Sequence, residues 1–137
     1  MFVKQISVFV ENKSGRLADV TEALARAGVN IRALSIADTT DFGVLRLIAD
    51  RPETAEKALK DAGYAIRLTP VIAIEISDDP GSLASVLRVF ADEGIAIEYM
   101  YAFIGVSEGR ARVIIRVEEN DRAVALCKKS NIEILTL

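Results

Sequence analysis

Two stretches, Ser14–Ile31 (SGRLADVTEALARAGVNI) and Pro80–Ile97 (PGSLASVLRVFADEGIAI), lie over one another without a gap. Gly15 falls on Gly81, Leu17 on Leu83, Val20 on Val86, Gly28 on Gly94 and Ile31 on Ile97, a constant offset of 66. Further on, ADRPETAEKALKDAGY covers VEENDRAVALCKKSNI at an offset of 68, so the second copy carries two extra residues in between. The chain therefore reads as a tandem duplication, residues 1–69 followed by 70–137, with Thr69 and Pro70 marking the join and no linker between.

Each copy has the same internal rhythm. Ile6, Val8 and Val10 alternate with other positions, the period-two pattern of a strand with one buried face. Leu17, Val20, Leu24 and Ala27 recur at intervals of three and four, the stripe of an amphipathic helix, and Gly28 stops it. VNIRALSIAD and FGVLRLIAD are strand-like runs split by TTD, a hairpin signal. RPETAEKALKDAG predicts a second helix with proline near its start, and YAIRLT a last short strand. The second copy repeats the series from VIAIEIS to IEILTL, with its extra residues in the hairpin around GVSEG.

The order β-α-β-β-α-β, twice, predicts an α+β fold of two ferredoxin-like modules in tandem. About 65 residues is marginal for an independent core. The two sheets are therefore expected to join side by side or through a dimer, which would also cover exposed strand edges.

Composition narrows the function. Half of the 137 residues are hydrophobic (51%) and mean hydropathy is +0.29, ample for a core. No apolar run approaches the roughly 18 residues needed to span a bilayer, and the N-terminus alternates where a secretion signal would be basic and then apolar. A soluble cytoplasmic protein with no membrane partner is expected. The net charge is −3 and the 17 basic residues are scattered, which argues against nucleic acid.

There is no histidine, which removes Ser-His-Asp and Cys-His nucleophiles, HExxH zinc sites and the commonest general base. The single cysteine, Cys127, falls on the apolar side of a helix and has no partner for a disulfide or a metal cluster. No catalytic residue, metal site or cofactor is expected. The acidic Glu118–Asp121 stretch reads as a solvated helix start, and Tyr99, Met100, Tyr101 and Phe103 as a buried or contacting strand.

The chemistry sits in the turns that join the first strand of each copy to its helix. A helix N-terminus leaves backbone N–H groups without intrahelical partners and carries partial positive charge, a ready seat for a carboxylate. Gly15 and Gly81 leave those donors uncovered by a side chain. A nearby Asn or Asp oxygen could take an ammonium. An anion cradle beside a cation acceptor describes an α-amino acid. Set against this, Ser14, Asp78 and Asp79 also fit plain helix caps, the glycines tight packing, and Asn30 a local backbone bond.

ENKSGRLADVTEALARAGVNI resembles the start of an ACT domain, the small ligand-binding module attached to many enzymes of amino-acid metabolism. The family pattern is a strand, Asn or Asp, Pro-Gly two residues later, a helix, then Gly-(Val/Ile)-Asn-Ile. The first copy supplies Asn12, Gly15, Leu17, Gly28, Asn30 and Ile31, with Ser14 in place of proline. The second supplies Asp78, Pro80, Gly81, Leu83, Gly94 and Ile97, with Ala96 in place of asparagine.

The resemblance implies a ligand held between modules, the turn of one facing the start of the second strand of its neighbour. The expected ligand-binding residues are Asn12, Ser14, Gly15, Arg16 and Leu17 with Ala96 and Ile97, and Asp78, Asp79, Pro80, Gly81, Ser82 and Leu83 with Asn30 and Ile31. If a homodimer instead pairs first copy with first copy, Asn12 and Asn30 form the better site. The implied function is a regulatory or sensor protein that binds a free amino acid and acts allosterically on a separate enzyme of amino-acid metabolism. The alternative is a dimerising subunit with vestigial ligand sites.

Overall fold

The computed structural model describes residues 2–38, 42–105 and 108–137. Its elements are β1 (Val3–Glu11), α1 (Arg16–Arg26), β2 (Ile31–Asp38), β3 (Phe42–Ala49), α2 (Pro52–Asp61), β4 (Ala65–Ser77), α3 (Ser82–Asp92), β5 (Ile97–Ala102), β6 (Arg110–Val117), α4 (Asn120–Lys129) and β7 (Glu133–Ile134). The predicted βαββαβ order is found twice, with β4 serving as both the last strand of the first copy and the first strand of the second. The chain divides into two compact units, Lys4–Thr69 and Pro70–Leu137, the latter joined by Phe2 and Val3.

In the first unit β3 is flanked by β1 and β2, both antiparallel to it. Ile6, Val8 and Val10 of β1 meet Val20 and Leu24 of α1, Leu45 and Leu47 of β3, and Ala55 and Leu59 of α2 in one apolar cluster, but Gln5 and Ser7 between them are buried too, so β1 does not have the single buried face that its alternation predicts. In the second unit β6 pairs with β4 and β5, and β7 adds to the other side of β4. Its cluster gathers Ile72 and Ile74 of β4, Val86 and Phe90 of α3, Val113, Ile115 and Val117 of β6, and Ala123, Val124, Leu126 and Cys127 of α4. Burial pushes the Cys127 thiol up to about 11, so it is un-ionised at neutral pH and packs as a small hydrophobe.

Two further readings of the sequence are corrected. YAIRLT and VIAIEIS are not separate strands but one of 13 residues, β4, which runs through Pro70. Proline has no N–H to give a ladder, but its carbonyl accepts from Arg116 Nη1 (3.0 Å) and Asn120 Nδ2 (3.1 Å). Secondly, Leu17 does not belong to the buried stripe of α1, whose buried residues are Val20, Ala23 and Leu24. Leu17 is 39% exposed and its equivalent Leu83 40%, because each sits on the first helical turn. The TTD hairpin residues 39–41 and two residues of GVSEG, 106 and 107, lie outside the described residues.

Candidate functional site

Both strand-to-helix turns adopt the same backbone solution. Gly15 (φ +86°) and Gly81 (φ +89°) take the N-cap positions of α1 and α3 in the left-handed region. A non-glycine residue there costs about 1–2 kcal/mol. A Cβ placed on either glycine would meet nothing within 4 Å, so packing does not call for the missing side chain; the backbone angle does. Neither helix has a side-chain cap bond. Ser14, Asp78 and Asp79 are thus not side-chain caps here.

The first amides of the two helices are partly claimed. Arg16 N–H donates to the Lys13 carbonyl (3.3 Å) and Ser82 N–H to that of Asp79 (3.1 Å). Regular helical bonding begins with Asp19 N–H to the Gly15 carbonyl and Ser85 N–H to the Gly81 carbonyl, each 2.9 Å. Between these, among the described residues, the amides of Leu17 and Ala18 in one turn and Leu83 and Ala84 in the other meet no protein acceptor. All four residues are exposed. Each turn therefore offers a pair of adjacent donors without a protein acceptor at the positive end of a helix dipole.

The surroundings of the two donor pairs differ. In the first unit Lys13 Nζ lies 2.9 Å from Glu11 Oε2, and Arg16 lies 3.7 Å from Asp19 Oδ2. The Lys13 hydrogen bond, then its charge and that of Arg16, hold the Glu11 carboxyl below its ordinary 4.5. In the second unit the equivalent of the Glu11 and Arg16 pair is two hydroxyls: Ser77 Oγ and Ser82 Oγ are 2.7 Å apart across the turn. Asp78 N–H donates to the Gly109 carbonyl (3.0 Å), fixing where the turn leaves the sheet. Sequence reasoning missed Ser77. The only available signal was its place five residues before Ser82, on the far side of the turn.

Within each unit the turn and the start of the second strand do not meet. Glu11, which precedes the first turn, pairs with Phe42, whereas Ile31 pairs with Ala49. Phe42 and Ala49 are seven steps apart along β3, roughly 23 Å at about 3.3 Å per residue. In the second unit Ser77 pairs with Arg110 and Ile97 with Val117, the same spacing along β6. The structure thus brings Asn12, Ser14, Gly15, Arg16 and Leu17 together, and likewise Asp78, Asp79, Pro80, Gly81, Ser82 and Leu83. It leaves Asn30 and Ile31, and Ala96 and Ile97, at the other end of their sheets. Asn30 N–H is taken by Asp50 Oδ1 (2.9 Å), and its carbonyl accepts from Asp50 N–H (3.0 Å); the residue itself is exposed.

A cavity of about 590 Å³ opens elsewhere on the second unit, at the start of α4, between Phe2, Pro70, Arg116 and residues 118–122. It adjoins neither turn. Among the described residues no group of three or more His, Cys, Asp or Glu side chains is placed to hold a metal, and no helix is long and apolar enough to cross a membrane.

Comparison with known proteins agrees with the duplicated geometry. A family model described as an ACT domain pair matches residues 1–136. Among solved structures, protein BT0572 from Bacteroides thetaiotaomicron is 44% identical with a TM-score of 0.93, over 98% of this chain and 92% of that one. The ligand-free regulatory subunit of aspartate kinase from Thermus thermophilus is 23% identical with a TM-score of 0.69, over 93% and 91%. The corresponding subunit from Thermus flavus, also 23% identical, gives a TM-score of 0.63 over the same shares. No curated protein matches.

Proposed function

Because the chain belongs to the ACT-domain-pair family, a regulatory and not a catalytic module, we propose that it binds a free amino acid at its strand-to-helix turns. We propose further that it passes the binding on to an enzyme of amino-acid metabolism. The observation that carries this reading is the pair of unclaimed amides in each turn, Leu17 with Ala18 and Leu83 with Ala84. They are the donors that an α-carboxylate needs. The oxygens of Asn12 and Asp78 stand a few residues before them to take the α-ammonium. Since Asn30 and Ile31, or Ala96 and Ile97, lie at the far sheet end of their own module, the opposite wall of each site comes from another module.

The mechanism needs no chemical step. A ligand touching two modules favours the placement in which both touch it, and by linkage a partner that prefers the same placement is bound more tightly. The likeness to a regulatory subunit of an aspartate kinase shows a shared fold and suggests the class of partner. Asn12 and Asp78 differ in charge, as do Asn30 and Ala96 in polarity, so the sites are unequal.

A thermal melt against each of the twenty amino acids tests the reading. Binding to the folded chain at about 100 times the dissociation constant adds roughly 2.7 kcal/mol, a rise in Tm that is readily measured. One amino acid or a chemically related few should give it. A flat response to all twenty overturns the sensor reading and leaves the dimerising subunit in its place.

A further inference from the structure

The starts of α2 and α4 are equivalent but are completed differently. At the offsets of the duplication Lys4 falls on Pro70 (66), while Asp50 and Glu53 fall on Glu118 and Asp121 (68). The strand registers agree, with Ile6 opposite Leu47 in the first unit and Ile72 opposite Ile115 in the second. In the first unit the protein itself claims both acids: Asp50 Oδ1 accepts from Asn30 N–H (2.9 Å) and Glu53 Oε1 from Lys4 Nζ (2.9 Å). In the second, proline stands in the lysine's place, and among the described residues the Glu118 and Asp121 carboxylates meet no donor or cation.

These two acids border the cavity of about 590 Å³ at the start of α4, within the range of ~300–1,000 Å³ usual for small-molecule sites. The cations beside them are already engaged. Arg116 gives Nη1 to the Pro70 carbonyl (3.0 Å) and Nε to Glu98 (3.5 Å), and Arg122 meets Glu119 (3.5 Å) and the Glu93 carbonyl. Asn120 donates Nδ2 to the Pro70 carbonyl (3.1 Å), which leaves its Oδ1 buried with no partner, a costly state for an acceptor. The cavity thus lacks what Lys4 supplies in the first unit, a positively charged N–H donor. The positive end of the helix dipole is no obstacle, since Lys4 Nζ already sits at the first turn of α2 beside Glu53.

We infer that this cavity binds a small molecule ending in a primary alkylammonium group, which takes the place that the Lys4 side chain fills in the first unit. The ammonium pairs with Asp121 and Glu118. Its alkyl stem lies along Pro70 and Phe2, covering an aromatic ring that is otherwise 45% exposed. The site is separate from the strand-to-helix turns and independent of the ligand reading given for them.

Amide NMR of the full chain titrated with n-butylammonium, a lysine side chain without its backbone, tests this at constant ionic strength. Saturable shifts at residues 118–122 are expected in the millimolar range. Tetramethylammonium, charged but without an N–H, and n-butanol, uncharged, should bind more weakly. Glu118→Gln with Asp121→Asn should weaken binding about tenfold, the loss of two exposed ion pairs, with the rest of the spectrum unchanged. Pro70→Lys fills the cavity from within and should abolish the response while raising Tm. No saturable shift, an equal response to either control, or affinity unaltered by the paired acid changes or by Pro70→Lys overturns the inference. Shifts at Leu17, Ala18, Leu83 and Ala84 report the turns, so a butylammonium response confined to them overturns the cavity site, whereas a flat amino-acid melt with shifts at 118–122 overturns only the turn reading.

Discussion

Ser77 Oγ and Ser82 Oγ lie 2.7 Å apart, linking the last residue of β4 to the first of α3 over the turn that holds Gly81. One hydroxyl donates and the other accepts, so the turn is held by a neutral bond where the first unit uses charged groups.

Replacing Ser77 with alanine removes this bond and leaves the Ser82 hydroxyl free to turn to water. A loss of up to about 1 kcal/mol is expected. Urea unfolding monitored by circular dichroism reads it. A loss above about 2 kcal/mol would mean that Ser77 supports more than the turn.

Gly81→Leu meets open space for its Cβ but forces a branched side chain to φ +89°. The expected cost is about 1–2 kcal/mol, with the variant still folded and its ligand response at that turn abolished, since a leucine side chain would fill the open space at that turn. Calorimetry with the amino acid found by melting provides the check. Unaltered affinity in both Gly81→Leu and Gly15→Leu would move the binding site away from the turns.

Asn30 and Asp50 separate a binding role from a structural one. The backbone of Asn30 is what Asp50 holds, so Asn30→Ala should change stability by no more than about 0.5 kcal/mol while weakening ligand binding at the site it walls. Asp50→Ala, which strands the Asn30 N–H, should cost about 1 kcal/mol. If Asn30→Ala leaves affinity untouched, the wall is elsewhere.

Acid should weaken the Lys4–Thr69 unit. Glu11 is held below its ordinary 4.5 by Lys13 and Arg16. Glu53 is likewise lowered, first by the hydrogen bond from Lys4, then by a backbone bond and the Lys4 charge. With the folded value under the unfolded one, their stabilising contribution is complete above about pH 4.5 and fades as pH drops through the depressed folded values. A carbon-detected NMR titration should place both carboxyl midpoints under 4.5, and Lys13→Ala should bring that of Glu11 upward. A Glu11 midpoint insensitive to Lys13→Ala would show that the ion pair does not persist in solution.

The repeat was legible because it is written in local signals. Alternating Ile6, Val8 and Val10, helical stripes, and glycines at matching places need no knowledge of distant residues. What was not legible depended on partners far along the chain. Pro70 read as a break because proline interrupts a ladder; the donors to its carbonyl, Arg116 and Asn120, lie 46 and 50 residues away. Leu17 fits a buried stripe by spacing alone, but it stands on the first turn of α1 and is exposed. Ser14, Asp78 and Asp79 are residue types that cap helices, but a left-handed glycine already occupies each cap position. The turns were identifiable from sequence; the relation of each turn to its own second strand required the register.

The buried thiol of Cys127 gives the molecule a built-in clock. An alkylating reagent can reach it only when the half that contains α4 opens, so the labelling rate times the opening of that half alone. The aligned position in the other half is Leu59, equally buried. With Cys127 changed to alanine and Leu59 to cysteine, the same chemistry would time the first half. Comparing the two rates would reveal whether the twin modules come apart together or one after the other.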